Sequence, residues 1–177
     1  MNNISENIDV LIIGAGPSGT VAAGVLNKQG ISAKIIEKQT FPRFVIGESL
    51  LPRCMDNLEK ADLLDVVKQQ NFQEKFGAKF VDNVNTCDFN FSDKYTEGWG
   101  WTWQVKREQF DHVLANEIER KGVPIEYNTE VTDVNIDERG NSVTTVKLND
   151  GSKKQIAAKH IIDTSGYGRV LPRLLGL

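Results

Sequence analysis

The 177-residue sequence lacks several features that would assign a protein to a class. Its two cysteines, Cys54 and Cys87, are far apart and form no C-x-x-C pair, so neither a redox dithiol nor a zinc or other metal site is predicted. The formal net charge of -3 leaves no basic surface for nucleic acid. No apolar run reaches membrane-spanning length, and Met1 to Glu6 lack the basic and apolar regions of a signal peptide. We therefore expect a globular, cytoplasmic protein without nucleic-acid or membrane partners.

The first informative stretch is an apolar run that leads into a glycine-rich turn. Residues 10–13 are mostly β-branched and are followed by Gly14, Gly16 and Gly19 in the pattern G-x-G-x-x-G. This order predicts a strand, a tight turn and a helix. The first glycine permits the turn, the second admits a pyrophosphate, and the third lets helix and strand pack closely. The phosphates would bind free N–H groups at the start of a helix that begins near Ser18.

An acidic residue after the next predicted strand supports a dinucleotide site. The strand covers Ser32 to Ile36, and Glu37 follows it, 23 residues after Gly14. A carboxylate at that offset accepts hydrogen bonds from a ribose diol. The same carboxylate would repel a 2′-phosphate, which makes NADP a poor ligand. The alternative is a glycine-rich turn followed by an unrelated glutamate.

The helical patterns predict further helices packed on this unit. Apolar residues recur at helical spacing in four segments, which are 18–29, 51–58, 63–67 and 110–121. The first of these segments ends at Gly30, a residue suited to the left-handed C-terminal cap.

An aromatic stretch in the middle of the chain shows the alternation of a sheet. Phe89 and Phe91 alternate with polar residues, 93–98 has turn composition, and the tryptophans at 99, 101 and 103 alternate again. This pattern predicts a hairpin with one aromatic face. The tryptophans either pack the sheet against the protein, which is the favoured interpretation, or form a wall on which a ligand stacks.

The last third of the chain predicts a meander and a buried strand. Segments 131–136, 143–148 and 155–157 are separated by hairpin turns, and 159–166 is an apolar strand that runs into a polar turn. The whole order describes an α/β fold in which a Rossmann-like dinucleotide domain is interrupted by a second sheet. Nothing completes that sheet or supplies a second phosphate-binding turn, so we expect a fragment, or a gene product shorter than its relatives.

Three further motifs resemble those of the flavin-dependent halogenase-like group of FAD oxidoreductases, in the superfamily of geranylgeranyl reductases and aromatic-ring hydroxylases. They are Gly47-Glu48-Ser49-Leu50-Leu51-Pro52, the R-x-x-F-D-like segment 107–111, and 163–166, which is similar to a D-A-S-G turn. The resemblance covers nearly the whole chain. It implies FAD as cofactor and a glutathione-reductase type FAD-binding domain over 1–177, with substrate-domain strands inserted at about 74–105.

The resemblance also implies a set of cofactor-binding residues. Ser49 and Arg107 match positions that approach the cofactor, and Val131 matches one whose backbone meets the adenine. A guanidinium opposite the diphosphate can hold two phosphate oxygens. The alternative for Arg107 is a surface charge at a helix start, which the helix dipole disfavours slightly. The implied set is Gly14, Gly16, Pro17, Ser18, Gly19, Glu37, Lys38, Arg43, Ser49, Arg107, Val131 and Asp163.

Lys75 is the candidate catalytic residue. In halogenases of this group a lysine precedes a short G-x-x-F strand and passes an electrophilic halogen to the substrate, and Lys75-Phe76-Gly77-Ala78-Lys79-Phe80 has that form. Such a side chain acts as a hydrogen-bond donor or as a nucleophile. The alternative is a solvated lysine at a strand edge, and Lys79 makes the assignment less unique.

The predicted function is that of an FAD-dependent oxidoreductase of the halogenase-like type. The resemblance implies reduced FAD and oxygen as reactants, a small aromatic or carrier-bound substrate, and a flavin reductase that supplies reduced FAD. The alternatives are an FAD monooxygenase or alkene reductase with the same flavin pocket, and an inactive partial FAD-binding module. A W-x-W-x-I-P motif and a G-D turn that meets the flavin are expected beyond Leu177.

Overall fold

The computed structural model describes residues 4–177, which form ten strands and five α-helices. The strands are β1 (Ile4–Ile13), β2 (Ala33–Ile36), β3 (Gln73–Lys75), β4 (Gly77–Asp82), β5 (Asn85–Asn90), β6 (Thr102–Gln104), β7 (Ile125–Glu126), β8 (Glu130–Ile136), β9 (Ser142–Lys147) and β10 (Lys153–Asp163). The helices are α1 (Pro17–Lys28), α2 (Arg53–Lys60), α3 (Leu64–Lys68), α4 (Arg107–Arg120) and α5 (Val170–Leu175). None of these helices is long and apolar enough to cross a membrane.

The largest sheet has the strand order β7-β2-β1-β10-β9-β8. β1 lies between β2 and β10 and is parallel to both, with Val10 opposite Ala33 and His160. A parallel strand in this position is covered on both faces, which explains why the run before the glycine turn is continuously apolar. Ile12 packs on one face in the core that contains α1 to α4, and Leu11 packs on the other against the meander.

The predicted α/β fold is confirmed, and α1, β2 and the end of β1 lie within one residue of the predicted positions, whereas β1 begins six residues earlier than predicted, at Ile4. The meander is also present, but its third strand differs from the prediction. Segments 155–157 and 159–163 form one strand, β10. Its first half pairs antiparallel with β9 and most of its length pairs parallel with β1, so a single long strand joins the meander to the centre of the sheet.

The pairing predicted for the aromatic hairpin is wrong. The strand with Phe89 pairs with β4, and the connection between these two strands turns at Asn83, which has a φ of 34°. Asn tolerates this left-handed conformation better than most residues. The tryptophan segment instead pairs through β6 with β3, so that Lys75 lies opposite Thr102. Alternation showed which residues share a face, but not which strand is the partner.

The three tryptophans support the packing interpretation. Trp103 is 4% exposed and belongs to the core, and the other two pack against that core. Their ring centroids follow one another at 5.6 Å and 5.2 Å in edge-to-face geometry. This aromatic row, from Trp99 to Trp103, attaches the β3–β6 sheet to the helices.

Candidate functional site

The glycine turn between β1 and α1 is shaped by close backbone contacts. Gly14 has a φ of 100°, and its N–H donates to the carbonyl of Ile36 at 2.8 Å. A Cβ on Gly19 would lie 2.0 Å from the Gly14 carbonyl oxygen. A Cβ on Gly16 would meet only Arg43 Nη2, at 3.7 Å. Packing therefore requires glycine at position 19 and leaves space above Gly16, as expected where a ligand approaches the backbone.

A cavity of about 360 Å³ opens beside this turn at the carboxyl ends of β1 and β2. This edge of a parallel sheet is where dinucleotides bind in doubly wound folds. Half of the predicted cofactor-binding set lines the cavity, namely Gly14, Gly16, Glu37, Lys38, Arg43 and Val131. Further lining residues were missed from the sequence, including Gln39, Thr129, Glu130, Thr164, Ser165 and Arg173. Of these, Thr164 and Ser165 directly follow β10, and their position after a central strand was the signal that could have identified them.

Glu37 is 6% exposed and is fixed by backbone donors. Its Oε2 accepts a hydrogen bond from the N–H of Ala15 at 2.8 Å, and its Oε1 accepts one from the N–H of Gln39 at 2.9 Å. Each carboxylate oxygen has a further lone pair for a hydroxyl donor. The glycine turn thus orients the residue predicted to bind the ribose.

Lys38 and Glu130 form an ion pair at the rim of the cavity. The two charged atoms are 2.7 Å apart, and the hydrogen bond from Lys38 holds the pKa of the Glu130 carboxyl below its usual value. Because the Lys38 side chain is 67% exposed, this pair adds little to stability. It places one positive and one negative group at the entrance.

Arg43 lies over the glycine turn with unused hydrogen-bonding capacity. Its guanidinium carbon is 4.8 Å from the centroid of the Phe41 ring, and the nearest carboxylate oxygens, of Glu37 and Asp111, are 3.8 Å and 3.6 Å away. Its buried Nε has no hydrogen-bond partner in residues 4–177. Because Arg43 lines the cavity and its terminal nitrogens make only these long ion contacts among the described residues, the guanidinium can donate to a ligand with several acceptor oxygens, such as a diphosphate.

Arg107 does not line the cavity. Its Nε and Nη2 donate to the two carboxylate oxygens of Asp111 at 2.8 Å and 3.0 Å. Its Nη1 donates to the carbonyls of Ile46 and Gly47 at 3.4 Å and 3.3 Å. The side chain is thus anchored among protein groups, unlike the surface charge considered as the alternative.

The remaining predicted cofactor residues of the glycine turn and of β10 also lie outside the cavity lining. Pro17 and Ser18 form the first turn of α1, directly after Gly16. Asp163 accepts hydrogen bonds from the N–H groups of Ser165 and Leu171, at 2.9 Å and 2.8 Å. Its carboxylate therefore shapes the turn that follows β10.

Ser49 lies beside Lys75, in a second cluster away from the cavity. The Lys75 ammonium donates to Ser49 Oγ and, at 3.1 Å, to the carbonyl of Leu50. It lies 5.1 Å from the centroid of the Phe91 ring. We call these four residues the Lys75 cluster. Lys79 differs, because its side chain is 61% exposed and pairs with Asp88 at 3.4 Å.

Comparison with known proteins gives the family. A family model described as FAD binding domain matches residues 7–175. The 1H-pyrrole-2-carbonyl-(peptidyl-carrier protein) chlorinase of Pseudomonas fluorescens is 30% identical over 190 residues, which cover 97% of this chain and 42% of the relative. A solved flavoprotein/dehydrogenase from Cytophaga hutchinsonii has a TM-score of 0.91 and 59% identity, covering 97% of this chain and 42% of its own. The solved flavin-dependent halogenase CmlS has a TM-score of 0.88 and 34% identity, and the match covers 98% of this chain and 32% of CmlS.

The chain spans 42% of the length of the first two proteins and 32% of CmlS. Within that span, the predicted cofactor FAD and the resemblance to flavin-dependent halogenases are confirmed. The matched residues include the glycine turn, Glu37, Arg43, the meander and all of β10. On these grounds the chain belongs to the FAD binding domain family, with flavin-dependent halogenases among its relatives.

Proposed function

We propose that the protein is an FAD-dependent oxidoreductase of the halogenase-like type, which uses reduced FAD and oxygen on a small organic substrate. Membership of the FAD-binding family and the halogenase relatives support the cofactor and the reaction class. The Lys75 cluster is the observation that carries the halogenase assignment, because it gives the candidate lysine a defined environment.

In this proposal the ADP half of FAD occupies the cavity beside the glycine turn. Glu37 accepts hydrogen bonds from the ribose diol, because its oxygens are buried and oriented by backbone donors. The diphosphate lies over Gly16 at the start of α1, where free N–H groups and the Arg43 guanidinium meet. The backbone of Val131 borders the adenine. When bound, FAD supplies the electrons that activate oxygen.

Lys75 is proposed to orient hypohalous acid as a hydrogen-bond donor, so that the substrate ring takes the halogen while the released hydroxide and the ring proton leave as water. An ammonium has three donors and no acceptor, and here two of them are directed to Ser49 Oγ and the Leu50 carbonyl. The Phe91 ring lies near the positive charge at cation–π distance. These contacts hold the ammonium towards the protein, whereas a solvated edge lysine would extend into water. Strands β3 to β6, at 73–104, would then form part of the substrate side.

The substrate is proposed to be a small aromatic molecule, free or attached to a carrier protein. The Pseudomonas fluorescens relative is named for a pyrrole carbonyl group on a peptidyl-carrier protein. A flavin reductase that supplies reduced FAD is the proposed electron-donating partner.

The reaction is tested by incubating the protein with reduced FAD, oxygen and either chloride or bromide, together with phenol and pyrrole acceptors in free and carrier-bound form. Products are identified by mass spectrometry. We expect halide-dependent halogenated product from the wild-type protein and from Lys79→Ala, and none from Lys75→Ala. Lys79 is the matched control because it lies four residues after Lys75, in the next strand, and its exposed side chain pairs with Asp88 at the surface.

Hydroxylated product alone would overturn halogenation in favour of a monooxygenase. Bound flavin without any halogenated acceptor would also count against the proposal. Unchanged halogenation by Lys75→Ala would remove Lys75 from the reaction. Absence of flavin from the purified protein, and failure to bind added FAD, would favour the inactive partial module.

A further inference from the structure

Asp111 is a buried acid that two arginines share. It belongs to the second turn of α4 and is 0% exposed. Both of its oxygens accept hydrogen bonds from Arg107, and Oδ2 also lies 3.6 Å from Arg43 Nη1. A buried carboxylate is costly unless it is paired and hydrogen-bonded, so its position is set by Arg107. The 3.6 Å contact between Asp111 and Arg43 is too long for a hydrogen bond. Asp111 therefore attracts the Arg43 guanidinium by charge and leaves its N–H donors available.

Arg43 is held at the glycine turn from several sides. Asp111 and Glu37 attract its two terminal nitrogens, and the Phe41 ring lies beneath the guanidinium at 4.8 Å. Phe41 in turn stacks on His112, with ring centroids 6.2 Å apart. Two neighbouring residues of α4, at 111 and 112, therefore support Arg43 directly or through Phe41. This support leaves the buried Nε of Arg43 without a partner in residues 4–177.

We propose that Asp111 is a positioning residue for the cofactor diphosphate: its carboxylate, anchored by Arg107, holds the Arg43 guanidinium over Gly16 without contacting the cofactor. Asp111 does not line the cavity, whereas Arg43 and Gly16 do. In this arrangement Arg107 acts through Asp111. The inference rests on the cofactor site proposed above and is independent of halogenation, because it can be tested with nucleotides in the absence of turnover.

The test is to measure the affinity of Asp111→Asn for FAD by flavin fluorescence, for ADP by calorimetry and for adenosine by ligand-observed NMR. The Asn side chain keeps the shape but loses the charge that attracts Arg43. We expect FAD and ADP to bind about tenfold more weakly, and adenosine to be affected by less than about twofold. In an Arg43→Gln background, the added Asp111→Asn change should weaken ADP binding by less than about twofold, because the two residues act on the same ligand group.

Asp56→Asn is the matched control. It removes the same charge from an early turn of another helix, where Asp56 pairs with Arg53 at 3.3 Å, and it should leave the affinity for all three ligands unchanged. If Asp111→Asn does not fold, Asp111→Glu retains the charge for Arg107 and displaces the carboxylate by one methylene. That variant should again bind ADP more weakly and bind adenosine with unchanged affinity. Equal losses for ADP and adenosine would indicate a purely structural role, and additive losses with Arg43→Gln would overturn the assignment through Arg43.

Discussion

Substitutions at two glycines of the same motif are expected to have different effects: Gly19→Ala should lower the stability of the fold, and Gly16→Ala should weaken cofactor binding. In Gly19→Ala, the new methyl carbon would lie 2.0 Å from the Gly14 carbonyl oxygen and 2.8 Å from Thr164 Oγ1. Neither atom is the end of a flexible side chain that can move aside, because Thr164 Oγ1 also donates to the carbonyls of Ile13 and Gly14. Helix α1 must therefore move away from β1.

The size of the effect follows from these distances. Overpacking a well-filled core costs about 1–3 kcal/mol, and a clash with backbone belongs at or above the upper end. For a domain of this size, about 3 kcal/mol corresponds to a fall in Tm of roughly 6–12 °C. In Gly16→Ala the nearest atom is 3.7 Å away and the backbone is extended, with a φ of -70°. Any residue adopts that conformation, so stability should change by less than about 1 kcal/mol.

The cofactor should respond in a different way to Gly16→Ala. In the proposed site, a methyl group at this position would lie where the pyrophosphate approaches the backbone, so we expect FAD affinity to fall by more than about tenfold. Thermal unfolding followed by circular dichroism, together with flavin fluorescence titration, measures both effects in each variant. A wild-type Tm for Gly19→Ala would refute the packing argument. Wild-type FAD affinity for a folded Gly16→Ala would refute the placement of the diphosphate.

Two further predictions concern titrating side chains. Burial raises the pKa of Glu6, but hydrogen bonds from Lys154 and Lys34 outweigh it and hold the pKa below the usual 4.5. The stabilisation from this lowered pKa is present above pH 4.5 and is lost on acidification. The urea midpoint of unfolding should therefore fall less between neutral and low pH in Glu6→Gln than in the wild-type protein. An identical fall in both proteins would contradict the argument. Burial and the hydrogen bond that Tyr127 donates to Glu119 raise the pKa of the phenol. Ultraviolet titration of the folded protein should therefore show a tyrosine fraction that ionises well above pH 10 and disappears in Tyr127→Phe.

Local patterns were sufficient where one short segment determines its own structure. The β1–α1–β2 unit was predicted because the apolar run, the glycine spacing and Glu37 all lie within about thirty residues. The meander was predicted for the same reason, since hairpin turns join strands that are neighbours in sequence. Gly140 and Gly151 occupy those turns with φ values of 85°.

Long-range pairing could not be predicted from local patterns. β3 and β6 form a sheet although residues 76–101 separate them. The alternation of apolar and polar residues around Phe89 defines the two faces of its strand, but it is equally compatible with β4 or the tryptophan segment as the paired strand. The contact between Arg43 and Asp111 joins residues 68 positions apart, and no spacing rule links a loop arginine to an acid in a distant helix.

The segment from Arg43 to Leu50 connects the two parts of the proposed site. Its first residue reaches the cofactor cavity, and its last two contact Lys75. Between them, Phe44 and Ile46 are 81% and 82% exposed, so hydrophobic burial contributes little to holding the middle of the segment.

Backbone hydrogen bonds fix this segment instead. The N–H of Val105 donates to Glu48 at 2.8 Å, and the N–H of Leu50 donates to Trp103 at 3.2 Å. Arg107, which lies three residues after the end of β6, donates to the carbonyls of residues 46 and 47. Because α4 begins at this same arginine, the helix that holds Asp111 also holds the segment that leads to Lys75. Trp103, Val105 and Arg107 thus hold the segment that joins the proposed diphosphate site to the candidate lysine, which gives the G-E-S-L-L-P and R-x-x-F-D motifs a shared structural role.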